Sequence, residues 1–203
     1  DWAALPVAYS KLNATLRAEG LLHRTISAGQ AIGGDREAVS IPSALAAASA
    51  VDDADVAIVT QGPGNLGTGT TWGYSGIAAA DVLNQASAMG ADPIMALRVS
   101  DADPRDRHRG LSHHSDTVLA TMALSSVSLA VPAADARDPF DRDVAAALDT
   151  IAERRAPRNL PAHRSIEVPT AGLDAAIRAL PVTVRGMGRG IDDDPKAFLY
   201  SAL

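Results

Sequence analysis

The sequence predicts an α/β protein: a three-layer, doubly wound, mostly parallel sheet of about six strands with helices on both faces. Three observations predict it. Apolar β-branched runs alternate with helix-period segments along the chain. The run Asp55 to Thr60 is continuously apolar, as in a strand buried on both faces. The loops richest in Gly, Arg and His all follow strand ends, where ligands of open α/β sheets bind. A closed eightfold barrel would need two more strand–helix units.

The elements follow in order. Leu5, Tyr9, Leu12 and Leu16 recur at helical spacing, with Gly20 as the stop. A short apolar run over Thr25 to Ala28 reads as a strand, and Pro42 to Val51 as an Ala-rich helix. After the strand Asp55 to Thr60, Ile77 to Met89 is an amphipathic helix stopped by Gly90. Pro93 to Val99 is a strand, Asp116 to Ser125 a helix and Val127 to Val131 a strand. Val144 to Arg155 (helix), Arg164 to Val168 (strand), Leu173 to Leu180 (helix) and Val182 to Arg185 (strand) complete the pattern. Asp135 to Asp143 is the most linker-like stretch, short enough to be an ordinary loop.

Length and composition set limits. The 203 residues fit one α/β domain over 1–203 that needs no staple to fold. The absence of Cys excludes disulfide scaffolds, thiolate metal sites and Cys nucleophiles. No apolar run reaches the roughly 20 residues that span a bilayer. The net charge of −6 argues against a duplex-binding surface. Two of the 18 basic residues are Lys (Lys11 and Lys196), leaving 16 Arg, a surplus that codon bias explains but that still provides forks for planar anions. No membrane and no nucleic-acid duplex are expected as partners. The expectation is a cytoplasmic protein, homo-oligomeric as closed symmetric assemblies commonly are.

Four loops concentrate unusual residues. Gly29 to Asp35 contains Gly33, Gly34 and Asp35. Gln61 to Gly76 contains Gly62, Gly64, Asn65, Gly67, Thr68, Gly69 and Thr70, a backbone-rich cradle with hydroxyl donors for an anion. Its glycines match the dinucleotide fingerprint formally, but a helix does not open at once and Asp81 falls inside a helix rather than after a strand. A P-loop fails because Thr68 follows Gly67 where Lys is required. A purely structural Gly-rich turn is the plain alternative.

Arg98 to Ser115 is the densest polar stretch and holds three of the five His. Ser112 or Ser115 caps the following helix, placing His113 and His114 at its start, where neutral imidazole is favoured. In an acid/base reading His108, His113 or His114 moves a proton, Asp103 orients it, and Arg105, Arg107 or Arg109 clamps an anionic substrate. In a metal reading the three His are ligands with Asp101, Asp103 or Asp35 completing the shell. Against it, adjacent His113 and His114 point apart on an ordinary backbone and no His-x-x-x-His pair exists, so no metal ligand is assigned and the cofactor stays open. In the structural alternative, the four Arg and three Asp of 98–109 form a salt-bridged loop of net charge +1. No Gly-x-Ser-x-Gly elbow supports a hydrolase triad. In Gly186 to Pro195, Arg189 adds an anion contact, Asp194-Pro195 opens a helix, and the Asp triplet caps and solvates rather than binding a cation. His23 and His163 read as surface or strand-edge residues.

Gly33-Gly34-Asp35, Gly62-Pro63-Gly64 with Gly67-Thr68-Gly69-Thr70, Ala102-Asp103-Pro104-Arg105 with Arg107-His108-Arg109-Gly110, Ser112-His113-His114 and Met187-Gly188-Arg189-Gly190 together resemble a bacterial family, the domain of unknown function 3866. The resemblance spans nearly the whole chain, and its Arg/His segment is the specific part. Trp72 and Tyr74 depart from the family pattern, which has a smaller residue and Phe there. The resemblance implies that the chain is the C-terminal portion of longer proteins with an N-terminal β-rich module, a candidate partner for these loops. It implies no activity. Two function classes follow from the residues themselves. One is an enzyme acting on a small anionic, phosphorylated or nucleotide-like metabolite. The other is a metabolite-binding, regulatory or assembly module that uses the same loops without chemistry.

Overall fold

The computed structural model describes residues 6–62, 65–134 and 137–203. Among the described residues helices and strands are mixed, with small parallel sheets and no barrel. The chain groups into two compact units, Asp1–Ala78 and Ala79–Leu203. Among the described residues, no helix is long and apolar enough to cross a membrane.

The first unit opens with a 3-10 turn, Val7–Tyr9, and helix α1 (Lys11–Ala18). Ser10 caps α1 by accepting from the Asn13 N–H at 3.1 Å, and Gly20, at φ +68°, lets the chain turn away. Strands β1 (Ile26–Ala28) and β2 (Arg36–Ala38) pair in parallel, Ile26 opposite Arg36. Parallel neighbours ordinarily need a longer crossover. Here Gly34 allows the return to pass close: a Cβ there would lie 2.6 Å from the Ser27 nitrogen and 2.8 Å from the Arg36 oxygen. Helix α2 (Ile41–Ala50) starts from a Ser40/Ser43 capping box with a proline in its first turn.

The second unit carries the core. Helix α3 (Ala79–Ala88) ends at Gly90, φ +82°. The extended run after it bridges in parallel at Ile94 to Ser128, then continues as β3 (Val99–Ser100), which pairs antiparallel with β4 (Gly110–Leu111). Helix α4 (His113–Thr117) runs into a π-helical turn, Val118–Met122. Strand β5 (Ser128–Pro132), helix α5 (Pro139–Arg155) and strand β6 (Arg164–Val168) form a strand–helix–strand unit with β5 and β6 parallel, Ser128 opposite Arg164. Helices α6 (Leu173–Arg178) and α7 (Pro195–Ala202) follow. Leu97, Val99, Leu119, Leu129, Val131, Val144, Leu148 and Ile151 pack with Leu83 and Tyr200 into one cluster.

A buried cation ties this core together. Arg155 is fully buried, and its guanidinium donates to the carbonyls of Leu119, Ala123, Ser125 and Pro161. Carbonyl ends of a helix carry partial negative charge, so they accept a guanidinium well.

Several expectations are corrected. The six strands pair as three two-stranded sheets rather than one. The clearest predicted strand, Asp55 to Thr60, takes no strand pairing and lies exposed, Ile58 at 91%. Val182 to Arg185 forms no strand either. In both, β-branched composition is present but no neighbouring chain is in register, and β propensity expresses itself only against a partner. The linker-like Asp135 to Asp143 is largely helix from Pro139, because Asp138 caps it by accepting from the Asp141 N–H at 3.1 Å. Its residues 135 and 136 lie outside the described residues.

Candidate functional site

The polar centre is built on the carboxyl end of β3. Ser100 is buried, and its hydroxyl accepts from the backbone N–H groups of Ala102 and Asp103 while donating to Asp194 at 2.6 Å. That turn drives the Asp103 carboxylate inward until it is wholly buried. Arg105 meets it with a two-pronged contact, Nε to Oδ1 at 2.9 Å and a terminal nitrogen to Oδ2 at 2.8 Å. Arg189 adds a contact at 3.3 Å and Arg98 lies at 3.9 Å. The Arg105 hydrogen bonds hold the Asp103 carboxyl well below the usual carboxylate range. A two-residue turn aims Arg189: Met187 and Gly188 have φ +52° and +82° between the bridged pair Gly186 and Arg189. Arg189 Nε also donates to Asp194 at 3.0 Å.

Beside this pair of carboxylates stand three imidazoles. Ser112 caps α4 by accepting from the His114 N–H, which puts His113 and His114 in the first turn. His108 comes back from the 3-10 turn Asp106–His108 and is buried at 2% exposure. Its Nδ1 lies 2.7 Å from the Ser112 hydroxyl. Ring centroids are 4.9 Å apart for His108 with either neighbour, and 4.3 Å for His113 with His114. One ligand nitrogen from each falls within 4.8 Å of the others. Burial first, then the charges of Arg105 and Arg98, push His108 down to about 4. Burial and the two neighbouring imidazoles bring His114 to about 4 as well. His113 is also lowered, by burial and then by Arg107. All three are neutral imidazoles at neutral pH.

The expected site residues are thus distributed. His108, Ser112, His113, His114, Asp103, Arg105 and Arg189 share one centre. Asp103 holds arginines, and His108 Nδ1 meets the Ser112 hydroxyl, so a serine rather than the carboxylate orients that ring. The adjacent His113 and His114 do lie together, contrary to the backbone objection, because the helix start after Ser112 turns both toward His108. Arg107 and Arg109 are exposed and form no ion pair among the described residues. Asp194 precedes α7 as expected, but its side chain makes no cap bond; it is buried against Ser100 and Arg189. Asp193 instead accepts from the Gly190 N–H at 2.8 Å.

The loops of the first unit are described by themselves. Gly33, Gly34 and Asp35 line a cavity of about 330 Å³ with Arg17, Thr25 and Asn13. Asp35 there accepts from Arg17 and twice from Thr25, and the Gly33 N–H donates to Glu37 at 2.8 Å. In the Gly-rich loop, Gly67 bridges Tyr74, the Thr68 N–H donates to the Gly73 carbonyl at 2.7 Å, and the Thr68 and Thr70 hydroxyls bond each other at 2.9 Å. Asn65 accepts from Gln61 and Ser75. Gly69 sits exposed at φ +77°, and Gly62 precedes the undescribed pair. Gly64 lies outside the described residues. The expected donors of Thr68, Thr70 and Asn65 therefore meet partners within the loop itself.

Sequence reasoning missed Ser100 and the inward role of Asp194. A Ser three residues before Asp is a local turn signal, but contact with a residue 94 positions away has no sequence signature. His163, expected at a surface or strand edge, is half-buried at the start of β6. Its Nδ1 accepts from the Val127 N–H at 3.2 Å and Nε2 lies 2.9 Å from the Leu119 carbonyl.

Compared with known proteins, the chain matches the family described as Protein of unknown function (DUF3866) over residues 1–203, and it belongs to that family. No curated protein and no solved structure matches it.

Proposed function

We propose that the protein is a cytoplasmic enzyme acting on a small anionic metabolite, phosphorylated or nucleotide-like, at the His/Arg centre of its second unit. The observation that carries this reading is the juxtaposition of three neutral imidazoles with an arginine-rich rim. The arginines divide the work. Arg105 and Arg189 are spent on Asp103 and stiffen the centre, while exposed Arg107 and Arg109 clamp the anion. A guanidinium fork suits a phosphate or carboxylate, and a neutral imidazole offers a lone pair where a proton must be moved or a reacting oxygen polarised. The frame we infer is a doubly wound sheet, supported by the parallel passage from Ile94 to β5 and from β5 to β6, with the site on the carboxyl edge.

A thermal-shift panel of nucleotides, sugar phosphates, phosphate and carboxylates tests it. A ligand at 100 times its Kd contributes about 2.7 kcal/mol, a shift of roughly 5–10 °C for a chain of this size. The expected outcome is a shift with one anion class that Arg107→Ala removes, and turnover of that class lost in His113→Ala with circular dichroism unchanged. A flat panel, or full activity in both His113→Ala and His114→Ala, overturns it. One observation favours a second reading, a binding module without chemistry: both oxygens of the Asp103 carboxylate are held by Arg105 and Arg189. In that case the His substitutions weaken affinity and no product forms.

A further inference from the structure

The three imidazoles admit a more specific assignment. Histidines brought together by packing alone need only fill space, whereas here each can contribute a nitrogen to a common centre with those atoms within 4.8 Å of one another. Tetrahedral coordination with metal–nitrogen bonds of about 2.0–2.1 Å sets ligand nitrogens about 3.4 Å apart. The widest separation must close by about 1.4 Å, a shift that χ rotations of the half-buried His113 and His114 supply without moving the backbone.

We propose that His108, His113 and His114 hold one divalent transition-metal ion of the zinc class, leaving a coordination position for water or an anionic ligand. The proposal rests on the same centre as the function proposed above but reassigns its imidazoles, whose lone pairs the metal would take, so that a bound water would exchange the proton instead; its ligand set stands on geometry that does not require that function.

The donor chemistry selects the metal. Three imidazoles without thiolate suit Zn²⁺, Co²⁺ or Ni²⁺ rather than the oxygen-seeking Mg²⁺ or Ca²⁺. Asp103, a carboxylate the sequence offered as an oxygen ligand, is already saturated by Arg105 and Arg189. Three protein ligands with an open position is the arrangement of catalytic rather than structural zinc. Ser112 supplies the outer contact that metal-binding histidines use. Its hydroxyl oxygen has two acceptor sites, one for the His114 N–H and one for His108 Nδ1–H, and a proton on Nδ1 leaves Nε2 as the ligand. The surrounding Arg98 and Arg105 disfavour a bare cation and favour an anion completing its shell. Metal and anion therefore bind more tightly together than apart.

The test uses the full chain stripped with chelator. Zn²⁺ titrated by calorimetry, and Co²⁺ followed by visible absorption, are expected to give one equivalent and the intense bands of four- or five-coordinate nitrogen-rich cobalt. His113→Gln and His114→Gln are each expected to weaken binding at least about 100-fold with circular dichroism unchanged. Ser112→Ala is expected to weaken it about 10- to 100-fold through His108. Inorganic phosphate is expected to tighten Zn²⁺ binding in the wild-type chain. The proposal is overturned by the absence of stoichiometric binding, by the weak spectrum of octahedral cobalt, or by affinity unchanged in both His→Gln variants. The two readings separate cleanly. Metal binding with no anion-dependent shift keeps this site and sinks the substrate reading. Turnover of an anion by chelated protein, with no metal bound, does the reverse.

Discussion

The two units of the chain solve the same problem in different ways. Both contain Asp–Arg pairs, short parallel ladders and glycine turns at positive φ. In Ala79–Leu203 those pairs sit on carboxylates that a core has withdrawn from water: Asp103, Asp194 and Asp141 are all buried. In the first unit, Asp35 pairs with Arg17 at the surface, the little-exposed Asp52 carboxylate meets an exposed Arg36, and among the described residues only Ser27 and Tyr74 are buried overall. Exposed pairs contribute at most about 1 kcal/mol each, while a buried charge that loses its partners costs several. The same chemistry therefore stabilises little in one unit and specifies a single arrangement in the other. Chemistry that depends on fixed geometry belongs in the second.

The sharpest way to break this comparison is Arg155. Replacing it with Met keeps volume but strands four carbonyls in the core. The expected loss is about 3–5 kcal/mol, read as a fall in the urea midpoint by circular dichroism. Trp72 falls in the first unit, so its fluorescence in a Trp2→Phe background reports whether that unit unfolds with the second. Coincident transitions would erase the distinction between the units.

A paired substitution comes next. Leu129→Ala, at 2% exposure, is expected to cost about 2–5 kcal/mol, whereas Ile58→Ala, at 91%, is expected to stay within about 0.5 kcal/mol. Equal losses would mean that the apolar run 55–60 is covered in solution.

The smallest effect is a pH dependence. Burial lowers His163 below its ordinary value, and protonating Nδ1 would break the bond it accepts from Val127. Below about pH 6.5 the unfolded chain takes up a proton that the native chain refuses. Stability is thus full above that pH and falls as the pH drops toward the folded value. The lowered values of His108, His113 and His114 act in the same sense. With chelator present, the urea midpoint is expected to fall from pH 7 to pH 5, with a shallower slope in His163→Gln. An unchanged slope would place His163 in water.

Capping chemistry made much of the helical content legible. Gly20, Gly90 and the Asp194-Pro195 pair mark ends that the structure keeps, and Arg164 to Val168 is a strand over its predicted span, whereas the caps Ser10 and Asp138 went unread and both helix starts were misplaced. The strands at Asp55 to Thr60 and Val182 to Arg185 were misread because an apolar β-branched run is equally strand-like whether or not a partner stands beside it. The Arg/His stretch was legible as a concentration of charge and imidazole from its composition. Its internal wiring was not: Ser100 to Asp194 spans 94 positions, Arg189 to Asp103 spans 86, and Arg155 reaches carbonyls 30 and 32 residues away.

The sequence by itself determined that helices and strands are mixed along the chain, where several helices end, and which loop concentrates His and Arg. Those features rest on local forces: backbone caps, the conformational freedom of glycine, and side-chain periodicity within a few residues. Only the tertiary structure decided that Asp103 holds arginines, that Ser112 steadies His108, and that three imidazoles meet around one point. Arg189 reaches Asp103 from 86 positions away, and even the contacts among the near neighbours Arg105, Ser112 and the imidazoles are fixed only once the core buries them. Their strength comes from burial, which removes the competing water, and burial is a property of the assembled core rather than of any segment of it.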